Sequence, residues 1–238
     1  MKYFAIGDIH GCFEPFSQLV RNHWNSDNEQ LILTGDLIDR GPRSYECIVL
    51  AKQLHEKYGA IILQGNHESE FLMWLNHQKD VGLYWYDVLE PTIKSFYNDE
   101  NAIHIYEKEQ IAAHILKNFH SEIHFLKQAH LYFETPKYLF VHAGVDLTKE
   151  DWKDTEESDY YWIREDFINR VNNTGKRIFF GHNATRELHS LPSDDVWVSP
   201  CKTKIGIDGG VVFGGKLHGI RIDEENDKIN IISVRNAL

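Results

Sequence analysis

KYFAIGDIHG (residues 2–11), EQLILTGDLIDRG (residues 29–41) and AIILQGNHE (residues 60–68) decide the fold. Each is a short apolar run that stops at a glycine-containing polar turn: GDIHG, GDLIDRG and GNHE. The apolar runs predict strands over residues 3–6, 30–33 and 60–63. Between them lie helical patterns over 15–24 and 44–58, the second with Ser44 as its cap. Strand, helix and strand at this spacing mean βαβ units and neighbouring, largely parallel strands. In such sheets ligands bind beyond the carboxyl ends of the strands, where the three turns gather.

Further along, residues 68–131 carry a helical pattern rich in aromatics, broken near Pro91 and residues 98–101, which reads as an insertion over about 70–130 beside or over the sheet. Strand periodicity returns at 138–141 before HAG and at 177–180 before GHN. The tail from 196 to 234 is β-rich, with glycine turns at 209–210 and 214–215. Residues 149–159 are acidic and predict a solvated loop. With no repeat, low-complexity tract or linker, one domain over residues 1–238 is expected.

The bulk numbers narrow the function. At 42% hydrophobic and 26% charged, the 238 residues suit a globular enzyme. Cys12, Cys47 and Cys201 are odd in number and far apart, so no disulfide framework or thiolate zinc site is indicated. Cys12, beside the first polar turn, is expected to be a packed thiol and not a ligand. The net charge of -11 argues against a general nucleic-acid binder, though bound cations can still draw an anionic substrate. No apolar run approaches the roughly 20 residues that span a bilayer. The first polar turn begins so soon after Met1 that a signal peptide has no room, and the expectation is a cytoplasmic setting with no membrane and no obligate protein partner.

The chemistry lies in the turns. Asp8 and His10 stand two apart as a strand ends, and a period of two places them on one side, within reach of one cation. Asp36 ends the second strand and can bridge two cations. Asn66 ends the third and offers a neutral amide oxygen. His142 and His182 each follow an apolar strand. A lone aspartate or histidine in such a place is more often a turn or core residue. Five strand-end turns that each supply a metal-competent side chain are another matter. Asp, Asn and His without sulfur suit two divalent cations such as Mn, with Fe or Zn possible. A pair about 3.5–4 Å apart is the usual device for in-line attack on phosphorus.

GDIHG, GDLIDRG, GNHE, HAG and GH, in this order and spacing, resemble the signature of the PPP-type serine/threonine phosphoprotein phosphatases, closest to their short bacterial and phage branch. The resemblance implies the calcineurin-like metallophosphoesterase sandwich: two mixed β-sheets flanked by helices, with a helical insertion. It implies one metal on Asp8, His10 and bridging Asp36, and a second on Asp36, Asn66, His142 and His182. Arg40 and Arg164 are implied to clamp the phosphate with Asn66, as guanidinium forks suit its oxygens. The plainer reading of Arg164 is a surface ion pair with Glu165 or Asp166. His67 is the implied general acid and Asp39 its partner. The implied reaction is direct attack by a metal-bridging hydroxide, with no covalent enzyme intermediate. Two departures, Asn183 after the GH pair and Gly209 in IDGG, leave this ligand set intact.

The substrate expected from the resemblance is a phosphomonoester, on protein serine, threonine or tyrosine or on a small molecule. Asp39 in DLIDRGP and Glu68 in GNHE support that choice. The alternative is a dinucleoside polyphosphate hydrolase of the same superfamily, such as a diadenosine tetraphosphatase. A binding protein that kept the fold and lost activity is a third reading, opposed by the complete ligand set.

Overall fold

The computed structural model describes residues 1–76, 82–97, 99 and 101–236, with the side chains of 82–87 and 102 left aside. Strand β1 (Lys2–Ile6) leads through helix α1 (Phe13–His23) to β2 (Glu29–Leu33), and α2 (Ser44–Tyr58) leads to β3 (Ile61–Ile62). Next come helices α3 (Asn66–Leu75), α4 (Gly82–Tyr97), α5 (Ala102–Ile105), α6 (Lys108–Asn118) and α7 (His120–Leu126). Strands β4 (Tyr132–Glu134) and β5 (Tyr138–Val141) precede helices α8 (Glu157–Trp162) and α9 (Glu165–Ile168). Then follow β6 (Arg177–Phe180), α10 (Thr185–Leu188), β7 (Trp197–Val198), β8 (Lys204–Gly206), β9 (Leu217–Asp223) and β10 (Lys228–Val234).

Among the described residues the strands form two five-stranded sheets, ordered β10-β9-β1-β2-β3 and β4-β5-β6-β8-β7. In the first, β1, β2 and β3 run parallel to one edge, and β9 and β10 pair antiparallel on the other side of β1. In the second, β5, β6 and β8 are parallel at the centre, with β4 and β7 antiparallel at the edges. Period-two alternation explains how they pack. Tyr3 and Ala5 of β1 meet Tyr138, Phe140 and Phe179 of the other sheet in one buried cluster. Phe4 and Ile6 point the other way, onto Phe16, Leu19, Ile48 and Ala51 of α1 and α2. Leu139, Val141, Ile178 and Phe180 likewise turn outward onto Trp152, Tyr160 and Phe167. Phe140 and Phe179 stack at 5.1 Å between the sheets. Full burial of such a ring is worth about 1.5–3 kcal/mol over exposure. Strands buried on both faces read as continuous apolar runs, which is why they were legible.

The helical segment packs over α2: Leu89, Ile93 and Phe96 of α4 and Ile111 and Ile115 of α6 share the cluster that holds Ile48 and Leu54. Several local expectations give way here. Ser44 is the first helical residue of α2 and not its cap; Arg43 precedes it with no side-chain cap. The Tyr45 amide is instead taken by Ser95 Oγ of α4 at 3.0 Å, so a neighbouring helix caps this end. Pro91 lies inside α4 and does not end it, because packing on both sides outweighs the lost amide bond. Of the break expected at 98–101, residues 98 and 100 lie outside the described residues. The acidic stretch 149–159 is not all loop: Trp152–Asp154 forms a 3-10 turn and α8 begins at Glu157, fixed by buried Trp152 and Tyr160. Helix α1 starts earlier than expected, with Pro15 in its first turn, where a missing amide costs nothing. No described helix is long and apolar enough to cross a membrane.

Candidate metal centre

The turns after the two groups of parallel strands meet at one edge of the sandwich. Hydrogen bonds knit them together: Ile9 and His10 amides reach Asp36 O at 3.0 and 2.8 Å, and the Gly11 amide reaches Leu37 O at 2.9 Å. The Gly181 amide reaches His142 O at 2.7 Å. Glu68 ties the second turn to the third. Its carboxylate accepts from the Asp36 and Gly65 amides at 2.9 and 3.0 Å and from the Leu37 amide at 2.7 Å. The turns are so tight that a Cβ at Gly65 would collide with Asp36 Oδ1, and one at Gly181 with Asp8 Oδ1. His10, Asp36, Asp39, Arg40 and His182 all have positive φ, from 45° to 70°. Among the described non-glycine residues only Lys202 and Asp227 share that conformation. Each such residue costs about 1–3 kcal/mol, and concentrating that strain at one edge marks it as a working site.

Asp36 sits at the centre. Its Oδ1 lies 3.5 Å from His142 Nε2 and accepts from the His67 amide at 3.2 Å; its Oδ2 lies 3.4 Å from His10 Nε2. Two groups of side chains could each hold a cation, and Asp36 belongs to both: His10, Asp36 and His67; Asp36, His142 and His182. Asn66 Oδ1 lies 3.2 Å from His142 Nε2 and 2.9 Å from His182 Nδ1. Backbone carbonyls orient two of the rings. His10 Nδ1 donates to Ile38 O and His142 Nδ1 to Thr34 O, both at 2.8 Å, which leaves each Nε2 lone pair facing the centre. Asp8 Oδ1 and His182 Nε2 are buried with no hydrogen-bond partner among the described residues. Buried polar atoms without partners are rare, and atoms of these two kinds are good metal donors.

The four buried rings divide by charge. Burial pushes His10 and His142 below the ordinary imidazole range, and burial beside His142 and Arg164 lowers His182 to about 2. Three neutral rings are what cations require. His67 alone goes up: burial opposes its charge, but Asp36 and the bond to Asp39 outweigh it. Its Nδ1 stands 2.6 Å from Asp39 Oδ2. Asp36 is held below the usual carboxylate range, burial being outweighed by the surrounding histidines. The site therefore separates three rings whose charged form burial disfavours from one whose charged form its carboxylate neighbours favour.

The arginines are less settled in place than the turns. The Arg40 guanidinium contacts His10 Nε2 and lies 5.4 Å from the Phe213 ring centre. Arg164 is exposed, at the N-terminal boundary of α9, and close enough to depress His142 and His182. The surface ion pair considered for it is absent among the described residues, since Asp166 instead lies 3.9 Å from Arg170. Beside Arg40 a cavity of about 430 Å³ opens between the turn after β2 and α4, lined by Pro42, Arg43, Glu46, Pro91 and Lys94.

Two expectations are corrected. Strand alternation is not what orients Asp8 and His10, because β1 ends at Ile6 and His10 has φ of 45°. His10 faces Asp36, while Asp8 Oδ2 accepts from the His182 amide at 2.8 Å. Glu68 does not line the site as a substrate discriminator, since its carboxylate is spent on three backbone amides. Cys12 is, as expected, a buried thiol, its pKa pushed up to about 11 by burial. Asp208 went unread. It is buried, burial raises it to about 6, and its charge acts on Asp8. The signal was weaker than at the other turns: an apolar strand end is followed by a polar residue and glycine, but in the order Asp208-Gly209 and not glycine first.

Comparison with known proteins agrees with this geometry. A bis(5'-nucleosyl)-tetraphosphatase PrpE [asymmetrical] of Bacillus cereus (strain Q1) is 30% identical, over 100% of this chain and 96% of its own. A solved chain provisionally called a diadenosine tetraphosphatase superposes with a TM-score of 0.65 at 19% identity, covering 99% of this chain and 95% of the other. A protein serine/threonine phosphatase from Saccharomyces cerevisiae superposes at 0.60 and 16% identity, covering 100% and 81%. At such identities the two structures speak for the fold alone. The model of the calcineurin-like phosphoesterase family matches residues 1–215, and the chain belongs to that family.

Proposed function

We propose that the chain is a two-metal phosphoesterase acting on dinucleoside tetraphosphates. The observation that carries the reaction is the sharing of Asp36 between two groups of metal-competent side chains, in which burial holds the rings of His10, His142 and His182 below the ordinary imidazole range. The substrate is drawn from the full-length likeness to a bis(5'-nucleosyl)-tetraphosphatase. Asp8, His10 and Asp36 would hold one divalent cation, and Asp36, Asn66, His142 and His182 the other. Such a pair, when bound, supplies Lewis acidity and an activated water for in-line attack at phosphorus.

The remaining steps belong to the chain. With a cation on His10 Nε2 that lone pair would no longer be open to Arg40, whose guanidinium would bind the phosphate oxygens together with Arg164 and Asn66. Asp39 holds His67 by Nδ1, so that Nε2 carries the proton given to the departing oxygen. The cavity beside Arg40 offers room for the remote nucleotide, with Arg43 and Lys94 in its wall.

A second reading, hydrolysis of phosphoserine or phosphothreonine on proteins, is favoured by one observation. The paired and buried His67 and Asp39 suit a strongly basic leaving alkoxide better than a phosphate, which leaves with less help. The deciding experiment is the ratio of kcat/KM for diadenosine tetraphosphate to that for a phosphoserine peptide, under matched Mn²⁺. A ratio well above one is expected; a ratio below one overturns the nucleotide reading and leaves the two-metal chemistry standing.

A further inference from the structure

Thr92 is fully buried on α4, in the helical segment, and its one hydroxyl serves Asp39 twice. The oxygen accepts from the Asp39 amide at 2.9 Å, and the proton is given to Asp39 Oδ1 at 2.6 Å. Asp39 Oδ2 is the atom 2.6 Å from His67 Nδ1. Each carboxylate oxygen thus has its own donor, and the group cannot turn without breaking one of two short, charge-assisted bonds. Ser44 Oγ completes the group, 3.1 Å from the Asp39 amide and 3.0 Å from Thr92 Oγ1. These bonds also brace a residue whose φ is 70°.

We propose that Thr92 is a positioning residue for proton transfer: it fixes Asp39 so that His67 presents Nε2 to the leaving oxygen. The role rests on the reading of His67 as the general acid. It gives the helical segment a part in the chemistry, through a contact 53 residues away from the aspartate it serves. A hydroxyl needed only for packing would leave the proton step alone when replaced by the isosteric valine. One that orients Asp39 acts in proportion to how much the leaving group needs a proton.

The test is a series of phosphate esters with leaving groups from weakly to strongly basic. Turnover, KM and bound metal are measured for the wild type, Thr92→Val, Thr92→Ser, His67→Asn and the double variant. Thr92→Val should lower kcat about tenfold on the most basic leaving group and less than about twofold on the least basic. KM and metal content stay put, and Thr92→Ser restores the rate. In the His67→Asn background, Thr92→Val should cost nothing more, as expected for residues acting through one proton transfer. Should the valine variant not fold, Ser44→Ala reads the same group, with a smaller loss of the same leaving-group dependence. An equal loss on every ester, no loss at all, or an undiminished loss beside His67→Asn overturns the proposal. If His67→Asn is itself indifferent to the leaving group, the acid reading falls and takes Thr92 with it. If His67→Asn shows the dependence and Thr92→Val does not, only the role of Thr92 falls.

Discussion

The two donor groups that share Asp36 are not equally ready. Around Asn66, His142 and His182 the donors already converge: His142 Nδ1 is fixed by Thr34 O, Asn66 Oδ1 lies between the two rings, and His182 Nε2 has no other partner among the described residues. Around His10 the ring Nε2 also converges with Asp36 and His67, but the Arg40 guanidinium reaches the same atom. Asp8 is turned to the His182 amide and belongs to neither converging group. One side is held by turns of both sheets, while the other takes its donors from turns of the first sheet alone, beside an exposed arginine. Preorganised donors cost less to fill. On the two-metal reading a cation and the Arg40 guanidinium would compete at His10, and the position at His142 and His182 should fill first.

Asp36→Asn is the largest test, because it weakens both groups at once. Turnover should fall about 10²–10³-fold with loss of both metals. A variant that keeps one metal at wild-type affinity would show that the carboxylate is not shared. Next comes His67→Asn, expected to cost about 10²-fold on a basic leaving group while metal content holds, since this ring belongs to the proton step. Loss of metal in that variant would move His67 among the ligands. Metal titrations of His142→Ala and His10→Ala sharpen the comparison itself. The first should raise the Kd of the tighter step about tenfold or more and the second only that of the weaker step. Equal effects would erase the proposed order. The smallest effect is expected for Arg164→Ala, a severalfold rise in KM with a modest fall in kcat. Unchanged kinetics would return Arg164 to the surface.

What the sequence revealed followed from its periodicities. Doubly buried strands such as Phe4–Ile6 and Phe179–Phe180 print their burial as unbroken apolar runs, and the polar turns after them stand out by contrast. The polar turns that gather around Asp36 are therefore legible in the sequence. Contacts that form only in three dimensions were not. Thr92 reaches Asp39 across 53 residues, and nothing local to either residue announces it. Ser44 reads as a helix cap because serine commonly is one, yet it serves the Asp39 turn, while Ser95 of α4 accepts from the Tyr45 amide at that end. Glu68 reads as a mark of substrate class, but its carboxylate is a clamp on backbone amides. Asp208 also follows an apolar strand, but its turn reads Asp-Gly where the others place the glycine first, so the motif does not mark it. Asp8 and His10 were paired by strand alternation, a rule that lapses once the strand ends at Ile6.

The most direct measurement is a titration of Mn²⁺ into the demetallated chain, with binding and turnover followed together on one sample. The account predicts two ions per chain in two resolvable steps, with hydrolysis rising only as the second step fills. Full turnover before any metal is added, or a single ion that suffices for it, would contradict the sharing of Asp36 on which the account stands.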